Sequence, residues 1–465
     1  MARIIVIGAG VAGLAAAARM ASGANDVTLI DRNSSPGGAL TCAFPGTLTL
    51  PAALRDLFVK TGGRKASAAG LLEDVVDLRP VDPVRTYRFP DGSSLSLPNA
   101  ARGASKHAFD AAFGQGAGDA WLRVVDHGNR GWSAIRPGLV EVPDAGRGDL
   151  WRLLRSSASR RALAPRQTLR QIGEAAGVRD QRMRSVLDEY ARAAGAAPET
   201  APAVLAIRPY IEQTFGAWRI VGGLPELAAA MYERCLKRGV GFRFDTEVTS
   251  IASGSVSLAD GEVLAADVIV AAVDAHVLAR LTGSKPTTGA AGYSPSIFSS
   301  KMELELEGRE SVELPYETVI FGEGAEPTIR VQVAPERPNE WIAHTDAPLN
   351  GHGADQRDWD ARDVARQHAE AIRKAVAERL GVRPDTLAVR EIFTPADRER
   401  LTGTPGGSAH GPAINSLTSA ILRSPTVQPI KGLLHIGGSS RPGPGIAFEA
   451  LSAWNAAEVL RPTRV

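Results

Sequence analysis

The strongest constraint on the fold lies at the start of the sequence, where Arg3-Ile4-Ile5-Val6-Ile7 runs into Gly8-Ala9-Gly10-Val11-Ala12-Gly13. The first run is rich in β-branched side chains and reads as a buried parallel strand. The alanine-rich stretch that follows, as far as about Met20, has high helix propensity. Between them each glycine answers a separate need. Gly8 permits a tight turn, Gly10 lets the main chain approach a diphosphate, and Gly13 lets helix and strand pack closely. The helix N-terminus around Ala12 offers free N–H groups and a positive dipole end to phosphate oxygens. Val27-Thr28-Leu29-Ile30 reads as a second strand, and Asp31 closes it where an acid hydrogen-bonds the ribose hydroxyls of an adenine nucleotide.

Length and composition bound the rest. A chain of 465 residues exceeds one compact core, so two or three domains are expected. Its 44% hydrophobic and 22% charged residues are those of a folded globular protein. The formal charge of +2 sets no preference for polyanions, and only 8 of the 53 basic residues are lysine, which reads as compositional bias toward arginine. No nucleic-acid motif is present. Cys42 and Cys235 lack metal-ligand or CxxC spacing, and the 8 histidines form no HxxxH or HExxH pattern, so neither a metal site nor a disulfide framework is expected. The N-terminus is basic and then apolar like a secretory signal, but spaced glycines interrupt it and no cleavage site follows. With no run of 18 apolar residues, the expectation is a cytoplasmic protein, soluble or seated on a membrane surface.

Beyond the first motif the landmarks accumulate. Asp31-Arg32 is followed by the doublet Gly37-Gly38, then by Thr47-Leu48-Thr49-Leu50-Pro51. Val81-Asp82-Pro83-Val84-Arg85, Phe89-Pro90-Asp91-Gly92, Phe215-Gly216-Ala217-Trp218 and Phe393-Thr394-Pro395-Ala396-Asp397 come next. Last are Gly432 to Ser439 and Pro442-Gly443-Pro444-Gly445-Ile446. In order and rough spacing these resemble the bacterial phytoene desaturase family, the FAD-dependent carotenoid dehydrogenases within the amine oxidase and desaturase flavoproteins. The resemblance implies an α/β fold: a discontinuous Rossmann-type FAD-binding domain with an inserted α+β substrate domain. The cofactor domain is expected to gather residues 1–80, 215–287 and 396–465, and the substrate domain residues 81–214 and 288–395. FAD is expected against Gly8, Gly10, Ala12, Gly13, Asp31, Arg32, Gly37 and Gly38. Val248 is expected to meet the adenine through its main chain, and Gly438, Gly445 and Ile446 to meet the flavin ring. Leu433 to Ile436 reads by itself as a buried strand. The helix after Gly445 can turn its N-terminus toward the flavin pyrimidine and favour the charge of the reduced form.

Three departures mark the chain off from that family. Ala39 stands where an arginine usually follows the doublet, the "FD-x-G" segment is represented only by Phe44-Pro45-Gly46, and Ala447-Phe448 replace a proline-led step. They imply a reshaped pocket beside the flavin. From Trp151 to Gly173 there are six arginines and no acid, within a helical region of about 100–200. A basic amphipathic helix here would lie on the inner face of an anionic membrane, and a solvated helix face is the alternative.

The implied chemistry is transfer of hydride from a C–H bond of an apolar isoprenoid or carotenoid-like substrate to flavin N5. The alternatives are an oxidase of another apolar secondary metabolite, a polyene isomerase and a non-enzymatic lipid-binding escort. A delocalised polyene cation needs no strong base, which suits the lack of a catalytic triad. His410 and Asp346 are the polar candidates near the chemistry, with an ordinary structural role the alternative for each. Trp218 is expected in the core or along the pocket.

Overall fold

The structure is a computed structural model that describes residues 1–42, 46–62, 70–285, 292–305, 312–324 and 326–460. Phe44 and Pro45 lie outside the described residues.

The first sheet has five parallel strands. They are β1 (Arg3–Ile7), β2 (Asp26–Ile30), β3 (Gly241–Arg243), β4 (Val268–Ala271) and β5 (Leu433–His435), in the order β5-β4-β1-β2-β3. Chain segments far apart in sequence therefore lie side by side. Strand β1 is central, and its alternate residues enter two different cores: Ile4 and Val6 one, Ile5 and Ile7 the other. A parallel strand covered on both faces carries no polar alternation, as this apolar run shows. Helices α1 (Val11–Ala21) and α2 (Ile446–Val459) cover the first face together with the helix Leu224–Lys237. Ala15 to Ala18 of α1 and Ala450, Ala453 and Ala456 of α2 are buried there, and small side chains let these helices approach closely. A three-stranded antiparallel meander from Val248 to Ala265 and the helix Ala275–Thr282 cover the second face.

The second sheet has seven strands. Leu387–Phe393, Ser296–Leu304, Glu340–Ala347, Ile329–Val333 and Glu317–Ile320 run antiparallel in that spatial order, and Arg85–Arg88 and Ser94–Leu97 complete it. Only Glu317–Ile320 with Arg85–Arg88 is a parallel pair. Strands from residues 85–97 and from 296–393 thus share one sheet. The helix Arg362–Leu380 packs on one part of it through Ala369, Ile372 and Val376. Helices between residues 102 and 206 pack on another, where Phe109, Trp121 and Tyr190 meet Tyr87, Phe89 and Phe321.

The basic stretch at 151–173 is not one helix. It is divided among Arg147–Arg155, Ser157–Leu163 and Leu169–Ala176. Ser156 leaves helical geometry to cap the second of these, and Ala164, at φ 41° just before Pro165, ends it. Acids from elsewhere also answer part of its charge. Arg170 pairs with Asp188 at 2.8 Å and Glu199 at 3.1 Å, and Arg152 pairs with Asp149 at 2.8 Å. Among the described residues Arg155, Arg161 and Arg166 make no ion pair, and Trp151 is 73% exposed beside them. No described helix is long and apolar enough to cross a membrane.

Candidate cofactor site

A cleft of about 390 Å³ opens at the carboxyl ends of β1, β2, β4 and β5. This is where open parallel sheets bind ligands, because the strand-to-helix turns there present main-chain N–H groups. Its lining begins with Gly8, Gly10 and Ala12 at the mouth of α1. Gly8 has φ 102° and a Cβ on it would meet the Ala272 carbonyl oxygen at 2.6 Å. A Cβ on Gly10 would meet no protein atom within 4 Å, so this position opens onto the cleft. Gly13 lies behind the lining, where its Cβ would fall 1.8 Å from the Gly8 carbonyl oxygen.

Asp31 lines the same cleft and organises its loops. Its carboxylate accepts from the Ala9 N–H at 2.6 Å and from the Asn33 N–H at 2.8 Å. A carboxylate has about four acceptor positions, so Asp31 can hold the glycine loop and still bind a hydroxyl. Gly37 and Gly38, both at positive φ, dock on that loop; the Gly37 N–H donates to the Ala9 carbonyl at 2.9 Å. Arg32 also lines the cleft, donating to the Arg400 carbonyl at 2.6 Å, and Val248 lines it at the start of the meander. Gly438, Gly445 and Ile446 form the opposite end, with Gly445 at the N-cap of α2. The chain ends and the central segment are thus brought together around one cleft.

The two polar candidates separate. His410 lines the cleft, held as a neutral imidazole because burial and the nearby Arg208 push its pKa down to about 3. It is a poor proton acceptor and a serviceable hydrogen-bond partner. Asp346 is not among the cleft-lining residues and pairs with Arg330 at 3.1 Å, while its charge still acts on His410. Trp218 is half-buried, donates through Nε1 to the Phe215 carbonyl at 3.0 Å and stacks under Arg55. His435 is a core residue: its ring nitrogens meet Ser424 Oγ at 2.8 Å and the Val273 carbonyl at 2.9 Å.

Arg398 and Glu449 are among the lining residues that escaped the sequence reading. Arg398, from the helix Pro395–Thr402, reaches the cleft on the same side as Ala39, so a cation enters there from another part of the chain. Glu449, in the first turn of α2, is pushed by burial up to about 7 against a hydrogen bond from Gly445. An isolated acid in the apolar run Ile446-Ala447-Phe448-Glu449-Ala450-Leu451 was the available signal.

Extended, glycine-walled and open at the N-terminus of α1, the cleft fits a dinucleotide carrying a diphosphate. Residues 6–54 match the family model for NAD(P)-binding Rossmann-like domains, and residues 135–304 match that for flavin containing amine oxidoreductases. A hydroxyneurosporene desaturase of Rubrivivax gelatinosus is 26% identical over 511 residues, covering 98% of this chain and 93% of the relative. A zeta-carotene-forming phytoene desaturase of Myxococcus xanthus is 27% identical over 497 residues, covering 97% and 92%. A 4,4'-diapolycopene oxygenase of Methylomonas sp is 29% identical over 262 residues, a match that spans 54% of this chain and half of that relative. Among solved structures, an oxidoreductase from Methanosarcina mazei has a TM-score of 0.63 at 13% identity, covering 98% of this chain and 100% of that one. Cyclohexylamine oxidase from Brevibacterium oxydans gives 0.63 at 13%, covering 98% of each. These structural likenesses show the fold.

The chain is therefore similar to flavin containing amine oxidoreductases in its central part and to carotenoid desaturases over nearly its whole length, and it is an FAD-dependent oxidoreductase. In sequence it is phytoene desaturase-like, at 26–27% identity to those relatives.

Proposed function

We propose that the protein removes hydride from a C–H bond of an apolar isoprenoid or carotenoid-like substrate and delivers it to flavin N5. The observation that carries this reading is the near-full-length similarity to relatives named as carotenoid desaturases. Bound FAD supplies the hydride-accepting chemistry. The chain's own residues hold and orient it. Gly13 seats α1 against Gly8, so that Gly8, Gly10 and Ala12 with the N-terminus of α1 receive the diphosphate, Asp31 and Arg32 with Gly37 and Gly38 the adenosine side, and Val248 the adenine. Gly438, Gly445 and Ile446 receive the ring, with the N-terminus of α2 directed at its pyrimidine side. Residues 1–80, 215–287 and 396–465 make the cofactor domain in this reading, and 81–214 with 288–395 the substrate domain.

One observation favours a narrower version, in which the substrate carries an oxygen function. His410, held neutral, and Arg398 give the cleft lining a polar character that a bare hydrocarbon does not need. Hydroxyneurosporene desaturases are among the relatives.

The test is an anaerobic titration of the purified protein with phytoene, and in parallel with a hydroxylated carotene, in liposomes. Loss of the oxidised flavin absorbance with growth of longer-wavelength polyene absorption is the expected result. A flavin that stays oxidised with both, yet bleaches with dithionite, overturns the desaturase reading in favour of another substrate or of isomerisation. A purified protein without flavin would favour the lipid-binding escort.

We also propose that the protein docks peripherally on the anionic inner face of the cytoplasmic membrane, through Trp151 with Arg155, Arg161 and Arg166. An arginine near such a surface contributes about 1 kcal/mol, so removing one should weaken vesicle binding roughly fivefold. Co-sedimentation with phosphatidylserine vesicles should show this for Arg161→Ala, and a larger loss for Trp151→Ala. Equal sedimentation of both variants and the parent would discard the docking face.

A further inference from the structure

Arg423 precedes β5 and follows the short helix Leu417–Ile421. It is 6% exposed, and its guanidinium donates to three main-chain carbonyls: Pro412 at 3.0 Å, Gly438 at 3.2 Å and His410 at 3.4 Å. Two of these belong to the 410–412 loop and the third to the glycine wall at the end of β5. His410, Gly411 and Gly438 all line the cleft. A Cβ on Gly443 would touch Arg423 Cδ and Nε at 3.7 Å, so the glycine-rich turn folds directly over the side chain.

Its charge is less well answered than its geometry. Nε is buried without a hydrogen-bond partner, and no carboxylate lies within ion-pair distance of the guanidinium among the described residues. Burial and Arg208 push its pKa down to about 10, while Asp274 and Tyr293 pull the other way. Asp274 is itself engaged, accepting from the Tyr293 hydroxyl at 2.7 Å and the His276 N–H at 2.8 Å. At neutral pH Arg423 is therefore a fixed, buried cation held by carbonyl dipoles, with Asp274 acting on it from beyond ion-pair distance. A buried charge without a counter-ion is disfavoured, and carbonyl staples by themselves do not require one.

The counter-charge can arrive with chemistry. Uptake of one hydride brings two electrons and one proton to a bound flavin, and leaves one net negative charge on its pyrimidine side. We infer that Arg423 is the positioning residue that clamps the 410–412 loop to Gly438 and sets the flavin potential by favouring the negatively charged reduced form. This inference rests on the reading that the flavin ring lies against Gly438 and Gly445.

The experiment is reductive titration of the holoprotein with a chemical reductant and reference dyes, which needs no substrate. It compares the wild type with Arg423→Met and Arg423→Lys, and records FAD content beside potential. Loss of the charge in Arg423→Met should weaken binding of reduced relative to oxidised flavin about tenfold, a midpoint drop of about 30 mV for a two-electron couple. Arg423→Lys keeps the charge without the three-carbonyl fork, so its potential should stay near that of the wild type while FAD dissociates faster. Equal potentials in wild type and Arg423→Met overturn the inference. Should Arg423→Met fail to fold or load, the wild type decides. Across neutral pH its potential should fall by about 30 mV per pH unit, one proton per two electrons. A slope of about 60 mV, two protons per two electrons, means a neutral reduced flavin and overturns the inference. A wild-type protein that purifies without flavin would overturn the site itself, and this inference with it.

Discussion

Gly10→Val is expected to give a folded protein that no longer holds FAD. Gly10 sits at φ −73° and ψ −175°, an extended geometry open to any residue, and a Cβ there meets no protein atom within 4 Å. The chain has no reason to reject valine. The space the side chain enters is the mouth of α1, where the diphosphate must come close to the main-chain N–H groups. Pushing a charged, hydrogen-bonded group away from a helix N-terminus forfeits both dipole and hydrogen bonds. The expected loss is at least about 100-fold in FAD affinity, about 2.7 kcal/mol. Gly13→Ala makes the control. Its Cβ would lie 1.8 Å from the Gly8 carbonyl oxygen, a main-chain atom at the centre of the sheet, so α1 must move off β1. That variant should lose the fold along with the flavin. Flavin fluorescence and thermal unfolding by circular dichroism separate the two outcomes. A Gly10→Val protein that purifies with stoichiometric FAD would refute the placement of the diphosphate.

Arg85→Met is expected to destabilise the protein by about 3–5 kcal/mol, the cost of leaving buried partners of an ion pair uncompensated. Arg85 pairs with Glu212 at 2.7 Å and Glu317 at 2.8 Å, and all three are buried. Tyr190 donates to the other oxygen of Glu212, and Gln332 donates to Glu317 at 2.7 Å. These residues come from three strands of the larger sheet and from the helices Gln181–Arg192 and Ile207–Phe215, so the network ties helices to sheet. Removing the guanidinium strands two carboxylates in one site. Replacing the whole set by apolar residues of similar volume should cost far less, because the lost attraction and the relieved desolvation nearly offset. Urea unfolding of Arg85→Met and of Arg85→Met/Glu212→Leu/Glu317→Leu tests both statements. A change below about 1 kcal/mol for the single variant would mean that water reaches the network.

The cofactor sheet was legible because its signals are local. The strand, the spaced glycines and the alanine helix are contiguous, and each position states its own steric need. Asp31 was legible for the same reason, although its bonds to Ala9 and Asn33 add a structural duty that spacing does not reveal. Arg398, Arg423 and Glu449 were not legible. Arg398 reaches the cleft, and Arg423 the Gly438 carbonyl behind it, from segments with no period of their own, and only the tertiary path of the chain makes them neighbours of the glycines. The basic stretch at 151–173 misled for a related physical reason. A window free of acids says nothing about Asp188 and Glu199, which close on Arg170 from the next helix and beyond. Ser156 and Ala164 then break what composition alone would leave as one amphipathic rod.

The strand order of the first sheet has a consequence for synthesis. Strands β1 and β2 emerge from the ribosome early, but their neighbours on one side are β4 and then β5, drawn from residues 268–271 and 433–435. At 5–20 residues per second, roughly 20–80 s separate the appearance of Ile30 from that of Leu433. Throughout that interval Ile4, Val6 and the far edge of the nascent sheet lack the cover that α2 supplies, and part of the cleft wall does not exist. Loading of the cofactor is thereby deferred until translation is nearly finished. Ribosomes that stall or terminate before about residue 433 should release chains that no amount of FAD can rescue, whereas a separately supplied C-terminal fragment should restore colour by completing the sheet.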